Sequence, residues 1–133
     1  RLRLARAIQM FMPGIPQVWY LDLFAGTNDY AAADAGGSGG HKEINRTNLT
    51  MSDVEAGLQR QVVRDQLDLL RLRNTSRAFD GELEIAETEP HLLDLTWRNG
   101  EQSARLQADM GNHSFTVIHS DGAGAEQKLS YTR

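Results

Sequence analysis

Residues 13–24 read "PGIPQVWYLDLF", and the reading of this run decides the fold. It is β-branched and aromatic, and apolar on successive positions rather than on alternate ones. That pattern predicts a strand buried on both faces, as in a parallel sheet covered by helices. Pro13 and Gly14 close the segment before it, Leu2 to Met12, whose Leu, Ala, Arg, Gln and Met predict a helix. The residues from Arg1 onward already read as the middle of that helix, with no N-cap or lead-in, so the sequence reads as a piece of a longer chain.

Downstream, Ala25 to Thr50 is small and polar, with at most a short turn of helix around Tyr30 to Ala35. Connections of that length usually carry function or are disordered. Ser52-Asp53-Val54-Glu55 has the form of a capping box and predicts a helix start. Val54, Leu58, Val62, Leu67, Leu69 and Leu70 make its apolar stripe, with Arg60, Arg64, Asp65, Asp68 and Arg71 on the wet face and an end near Asn74. After Gly81 the apolar period falls to about two. The runs "ELEIAE", "HLLDLTWR", "SARLQADM", "SFTVIHS" and "EQKLSYT" are separated by Glu89-Pro90, Asn99-Gly100, Gly111-Asn112 and Asp121-Gly122, and predict an antiparallel sheet of about five strands. The chain is therefore expected to be α+β, with the end of an α/β architecture over 1–78 and an antiparallel β domain over 79–133.

The 133 residues suffice for one compact domain, or for a small domain with an appendage. With 14 basic and 18 acidic residues interspersed and a net charge of -4, no basic face offers itself to nucleic acid or to an anionic membrane. The absence of cysteine removes a disulfide framework, thiol catalysis and cysteine metal sites together. The most apolar segment, Ala7 to Phe24, is interrupted by Pro13, Pro16 and Asp22 and does not read as a membrane span or a signal sequence. These features fit a soluble, cytoplasmic protein.

The stretch with most chemistry is 36–50, "GGSGGHKEINRTNLT". A phosphate-cradling loop would need Gly-Lys-Ser/Thr, whereas His41 separates Gly40 from Lys42 and Glu43 follows. His41-Lys42-Glu43 matches the His-x-Glu of zinc deaminases, but no cysteine exists to complete that site. His91, His113 and His119 fall on strands or turns without an acidic cluster, so no metal site is expected. Gly36 to Gly40 reads as a flexible lead-in. Arg46 is open to two readings, a substrate contact or a partner for a structural carboxylate that orders the loop. Trp19, Tyr20 and Trp97 read as core packing.

"PGIPQVWYLDLFAGTND" at 13–29 together with "EINR" at 43–46 resembles the end of the catalytic barrel in the sucrose phosphorylase branch of the alpha-amylase family. That branch typically carries a Pro-Gly-Ile-Pro-Gln-Val-Tyr-Tyr strand, a Leu-Ala-Gly-Lys-Asn-Asp loop and an Ile-Asn-Arg segment. The resemblance extends over nearly the whole chain. It implies the last strand and helices of an eight-stranded (β/α) TIM barrel, followed by a small antiparallel domain. Thr47-Asn48-Leu49 stands where sucrose phosphorylases tend to have His-Tyr-Tyr, and "GGHKE" replaces a shorter Gly-Arg lead, which is nearer to sister enzymes acting on sucrose 6-phosphate or glucosylglycerate.

The resemblance implies a parent enzyme that is a retaining glucoside phosphorylase, a hexosyltransferase passing a glucosyl unit to inorganic phosphate to give glucose 1-phosphate, with no cofactor. Its paired carboxylates, ~5–5.5 Å apart in retaining enzymes, would come from earlier barrel strands, so no catalytic residue is expected in this chain and the chain alone is expected to be inactive. Arg46 matches the arginine that contacts the glucosyl unit, and His41 and Lys42 are candidates for the acceptor side, where an anionic sugar phosphate, carboxylate or phosphate would suit them. The other readings are a hydrolase or transglucosylase on the same scaffold, and a non-catalytic stabilising or carbohydrate-binding module. With its neighbours missing, the strand bearing Ile15, Val18, Leu21 and Phe24 is expected to drive self-association.

Overall fold

A computed structural model describes residues 1–123 and 126–131. They form two compact units: residues 17–67, and residues 1–16 together with the described residues from 68 onward.

In the second of these, helix α1 (Leu2–Phe11) buries Leu4, Ala7, Met10 and Phe11, a stripe at helical spacing. It packs against a five-stranded antiparallel sheet in sequential order, β1 (Glu82–Ile85), β2 (Leu92–Asn99), β3 (Gln102–Asp109), β4 (Ser114–Ser120) and β5 (Gln127–Tyr131). The register aligns Leu95, Leu106 and Val117 in one cross-strand row, and Ala108, Phe115 and Tyr131 in the next. All six are buried. The opposite face carries Arg105, Gln107 and Asp94, as alternation demands. Arg105 grips Asp94 through Nε at 2.8 Å and Nη2 at 2.5 Å, and Gln107 adds a third donor at 3.0 Å. The hydrogen bond from Arg105 holds the Asp94 carboxyl below its ordinary range against the opposing effect of burial, with Gln107 assisting.

All five predicted runs contain a strand, with Thr132 of the last run lying outside the described residues, and the second turn falls one residue later than the predicted Asn99-Gly100. Asn99 and Gln102 pair directly across a two-residue loop, Gly100-Glu101. Gly100 takes φ 59°, so the glycine occupies the first central position, as in a type II′ hairpin. Between β3 and β4, both oxygens of Asp109 accept hydrogen bonds from the turn, from the Gly111 and Asn112 amides and from Asn112 Nδ2.

Trp97 joins sheet to helix. Its indole Nε1 donates to the Phe11 carbonyl at 2.8 Å, and Phe79, from the 3-10 turn Arg77–Asp80, lies between the Phe11 and Trp97 rings at 5.3 and 5.9 Å. Arg73 covers this cluster with its guanidinium carbon 4.4 Å from the Phe79 centroid and 5.4 Å from that of Trp97. Its Nη2 donates to the Gly14 carbonyl at 2.8 Å. Burial lowers the Arg73 pKa, and Asp80 opposes that shift.

The run at 13–24 departs from expectation. No strand forms there: Tyr20–Leu23 is a turn of helix, α2, and Ile15 is 99% exposed. A strand buried on both faces needs parallel neighbours, and the sheet formed by the described residues is an antiparallel meander that this run does not join. β-propensity without ladder partners does not make a strand.

The long helix also differs from its prediction. α4 (Met51–Leu58) starts one residue before the predicted capping serine, with Thr50 as N-cap: Thr50 Oγ1 accepts from the Asp53 amide, and Asp53 Oδ2 accepts from the Thr50 amide. The chain breaks at Gln59 and Arg60, and α5 runs Gln61–Thr75. The break re-aims the buried face. Val63, Gln66, Leu69 and Leu72 are buried while Leu58 is 40% exposed. Asp65, assigned to the wet face, is buried and accepts from Gln61 Nε2 at 2.7 Å.

Candidate functional site

The loop that carries Arg46 lies within residues 17–67 and is held from several sides. Asp29 caps α3 (Tyr30–Ala35) by accepting from the Ala32 amide at 2.9 Å, and its own amide donates to the Ile44 carbonyl at 2.8 Å. A single residue thus ties the start of α3 to the beginning of the Ile44-Asn45-Arg46 segment.

The glycine-rich lead-in is built rather than slack. Gly37–Lys42 forms a 3-10 turn packed on α3. A Cβ on Gly40 would lie 1.7 Å from the Ala33 carbonyl oxygen, so only glycine permits this approach. The sequence reading of this stretch as flexible missed that the glycines serve contact between two short backbone segments.

Trp19 and Tyr20, read from sequence as core residues, have another role. Trp19 is 43% exposed, and its Nε1 donates to the Asn45 carbonyl at 2.8 Å. The Tyr20 hydroxyl donates to the Thr47 carbonyl at 2.8 Å. The two rings lie 4.9 Å apart, so adjacent aromatics fix the carbonyls on either side of Arg46. The signal in the sequence was chemical rather than periodic: Trp and Tyr each carry one polar handle on a large ring. Two further links hold the start of the loop: Gln66 Nε2 donates to the Leu23 carbonyl at 2.9 Å, and Arg60 Nη1 to the Phe24 carbonyl at 2.9 Å.

Of the three residues singled out in the sequence, Arg46 extends from this frame and pairs with Glu43 at 3.2 Å, both side chains about half exposed. An exposed pair of this kind contributes on the order of 0–1 kcal/mol. It leaves most of the five guanidinium donors available. His41 and Lys42 sit exposed at the end of the 3-10 turn, and neither side chain has a hydrogen-bonding partner among the described residues. Arg46, Lys42 and His41 thus all lie exposed on one short segment.

Elsewhere, clefts of about 350 and 550 Å³ lie on the sheet-bearing unit, and Arg46 lines neither. His119 borders the larger one, and burial lowers its pKa with Asp121 opposing. No group of three or more His, Asp or Glu with metal-binding placement occurs among the described residues, and no helix there is long and apolar enough to cross a membrane.

An exposed cation segment on a braced loop, together with a separate antiparallel meander, defines an α+β chain that offers binding groups. No family model matches the chain. Single relatives do, across nearly all of it. It is 61% identical over 119 residues to a sucrose 6(F)-phosphate phosphorylase of Ilumatobacter coccineus, covering 90% of this chain and 23% of that protein. It is 39% identical to a sucrose 6(F)-phosphate phosphorylase of Thermoanaerobacterium thermosaccharolyticum, covering 93% and 25%, and 38% identical to a glucosylglycerol phosphorylase of Marinobacter adhaerens, covering 88% and 24%. The crystal structure of sucrose 6F-phosphate phosphorylase from Thermoanaerobacter thermosaccharolyticum superposes with a TM-score of 0.89 at 37% identity, covering 98% of this chain and 26% of that one. The chain is similar to the C-terminal part of sucrose phosphorylase-like enzymes, and spans about a quarter of the length of the relatives it matches.

Proposed function

We propose that this chain is the C-terminal part of a retaining glucoside phosphorylase whose donor is sucrose 6-phosphate. The observation that carries this reading is the 61% identity, over 90% of the chain, to a protein described as a sucrose 6(F)-phosphate phosphorylase. In such a parent a carboxylate displaces the leaving sugar to form a covalent glucosyl-enzyme, and phosphate then takes the place of water as second nucleophile and yields glucose 1-phosphate. Sugar and inorganic phosphate are its partners, and the cytoplasm its compartment.

The catalytic carboxylates belong to earlier barrel strands, and residues 1–78 are the end of that barrel. Pro16 to Trp19 is its last strand, which pairs once its parallel neighbours are present; the extended ψ of 138° at Trp19 supports this reading. Residues 79–133 form the accessory β domain. Within this chain the meander, α1 and the later part of α5 nonetheless make one compact unit, because α1 needs a partner for its apolar stripe.

Arg46 contacts the glucosyl unit with donors that its pairing to Glu43 leaves available. His41 and Lys42 lie on the acceptor side, where the Lys42 ammonium and the polar imidazole of His41 suit the phosphate of a sugar phosphate. Separated from its barrel, the chain self-associates through the apolar surface around Ile15.

The test is phosphate dependence in the full-length enzyme. Consumption of sucrose 6-phosphate that requires inorganic phosphate and releases glucose 1-phosphate supports a phosphorylase. Equal consumption without phosphate, releasing glucose, makes the parent a hydrolase and refutes the proposal.

A further inference from the structure

We infer that Trp19 and Tyr20 are positioning residues that set the reach of Arg46 into the glucosyl subsite, an inference that rests on the role proposed above for Arg46. The geometry is specific. The Trp19 indole and the Tyr20 hydroxyl each donate at 2.8 Å to a main-chain carbonyl, and those carbonyls belong to Asn45 and Thr47, the residues immediately before and after Arg46. Fixing the carbonyl on each side restricts the backbone of the residue between them. The Arg46 amide is also engaged, donating to the Glu43 carbonyl at 3.1 Å, and Thr47 Oγ1 bonds the Thr27 carbonyl at 3.5 Å.

Among the described residues the Arg46 side chain has only an exposed partner in Glu43, so its direction is set by its own backbone more than by its ion pair. A long, rotamer-rich side chain loses entropy when it binds, and a backbone already held in place reduces that loss. The pair of aromatics therefore serves preorganisation, and neither ring needs to touch the sugar. Because Trp19 and Tyr20 are adjacent in sequence, one short segment controls both sides of the loop.

The test uses Tyr20→Phe and Trp19→Phe, which keep a ring and delete the donor, beside Arg46→Lys. In the 133-residue chain, amide hydrogen exchange across residues 44–47 accelerates in both aromatic variants, while amides of the sheet keep their wild-type rates. In the full-length enzyme the inhibition constant of glucose, used as a probe of the glucosyl subsite, rises roughly three- to tenfold for each aromatic variant, as expected for one lost hydrogen bond. In an Arg46→Lys background the same changes add little further, because the group they position is gone.

Unchanged exchange across 44–47 overturns the inference. So does faster exchange with an unaltered glucose constant while Arg46→Lys weakens glucose, and so do fully additive effects in the double variants. If Arg46→Lys itself leaves glucose binding unchanged, the proposed role of Arg46 fails and the positioning role falls with it. That outcome is distinct from the others because it appears in the single variant.

Discussion

Gly39 and Gly40 are neighbours in a run that composition alone treats as uniform, yet their substitution by alanine should have opposite outcomes. A Cβ on Gly40 would lie 1.7 Å from the Ala33 carbonyl oxygen and 2.7 Å from its carbonyl carbon, where ordinary contact begins at 3.4 Å. The 3-10 turn and α3 would have to part by the difference, 3.4 minus 1.7, or about 1.7 Å, and the obstacle is helix backbone rather than a flexible side-chain tip. Overpacking of this kind costs about 1–3 kcal/mol. The expected form of that loss is local opening of residues 29–43. Amide hydrogen exchange reads it directly, because Gly36 donates to Ala32 and Glu43 donates to Gly40. Protection at these two amides should fall roughly 5- to 150-fold in Gly40→Ala. A Cβ on Gly39 meets nothing within 4 Å, so Gly39→Ala should leave the same amides within about twofold of wild type. Equal exchange in the two variants would refute the packing argument and restore the glycine run to a slack linker.

Other consequences are open to test. The Asp94 pKa is depressed on folding, so its contribution is present above the ordinary value of 3.8 and is lost as pH falls through the lower folded value. Asp94→Asn should therefore cost about 1 kcal/mol at pH 7, held to that size by the partial exposure of Arg105; the difference from wild type should shrink below about pH 4 in urea titrations, and a pH-independent difference would contradict this. Trp97→Phe keeps a ring but strands the Phe11 carbonyl, and should lower stability by about 2 kcal/mol in the same titrations; a loss under about 0.5 kcal/mol would mean that water reaches that carbonyl. Ile15→Asp should reduce self-association of the chain in sedimentation at unchanged stability, since Ile15 is 99% exposed; an unchanged sedimentation profile would place the contact elsewhere.

The β half was legible because its signals are local. Leu95, Leu106 and Val117 recur at period two, and Asn99-Gly100 and Gly111-Asn112 mark turns that need little beyond their own residues. The helical half was legible in part. The stripe from Val54 to Leu70 was read as continuous, but the break at Gln59 and Arg60 resets the buried face and encloses Asp65. Nothing in hydrophobic period announces such a break. The run at 13–24 forms no strand in this chain because strand propensity presupposes neighbours that the described residues do not supply. At the loop, residue type was enough to single out Arg46, His41 and Lys42. The bracing of Arg46 by Trp19 and Tyr20 joins positions 26 and 27 residues apart, a pairing that only the folded chain brings together.

The most direct measurement is glucose 1-phosphate release with inorganic phosphate from sucrose 6-phosphate, sucrose and a glucosylglycerol donor, run on the full-length parent beside the 133-residue chain. The account predicts release by the parent, fastest from sucrose 6-phosphate, and none by the chain alone. Release by the chain alone would contradict the assignment of the catalytic carboxylates to residues outside it, and a parent inactive on all three donors would contradict the glucoside phosphorylase reading itself.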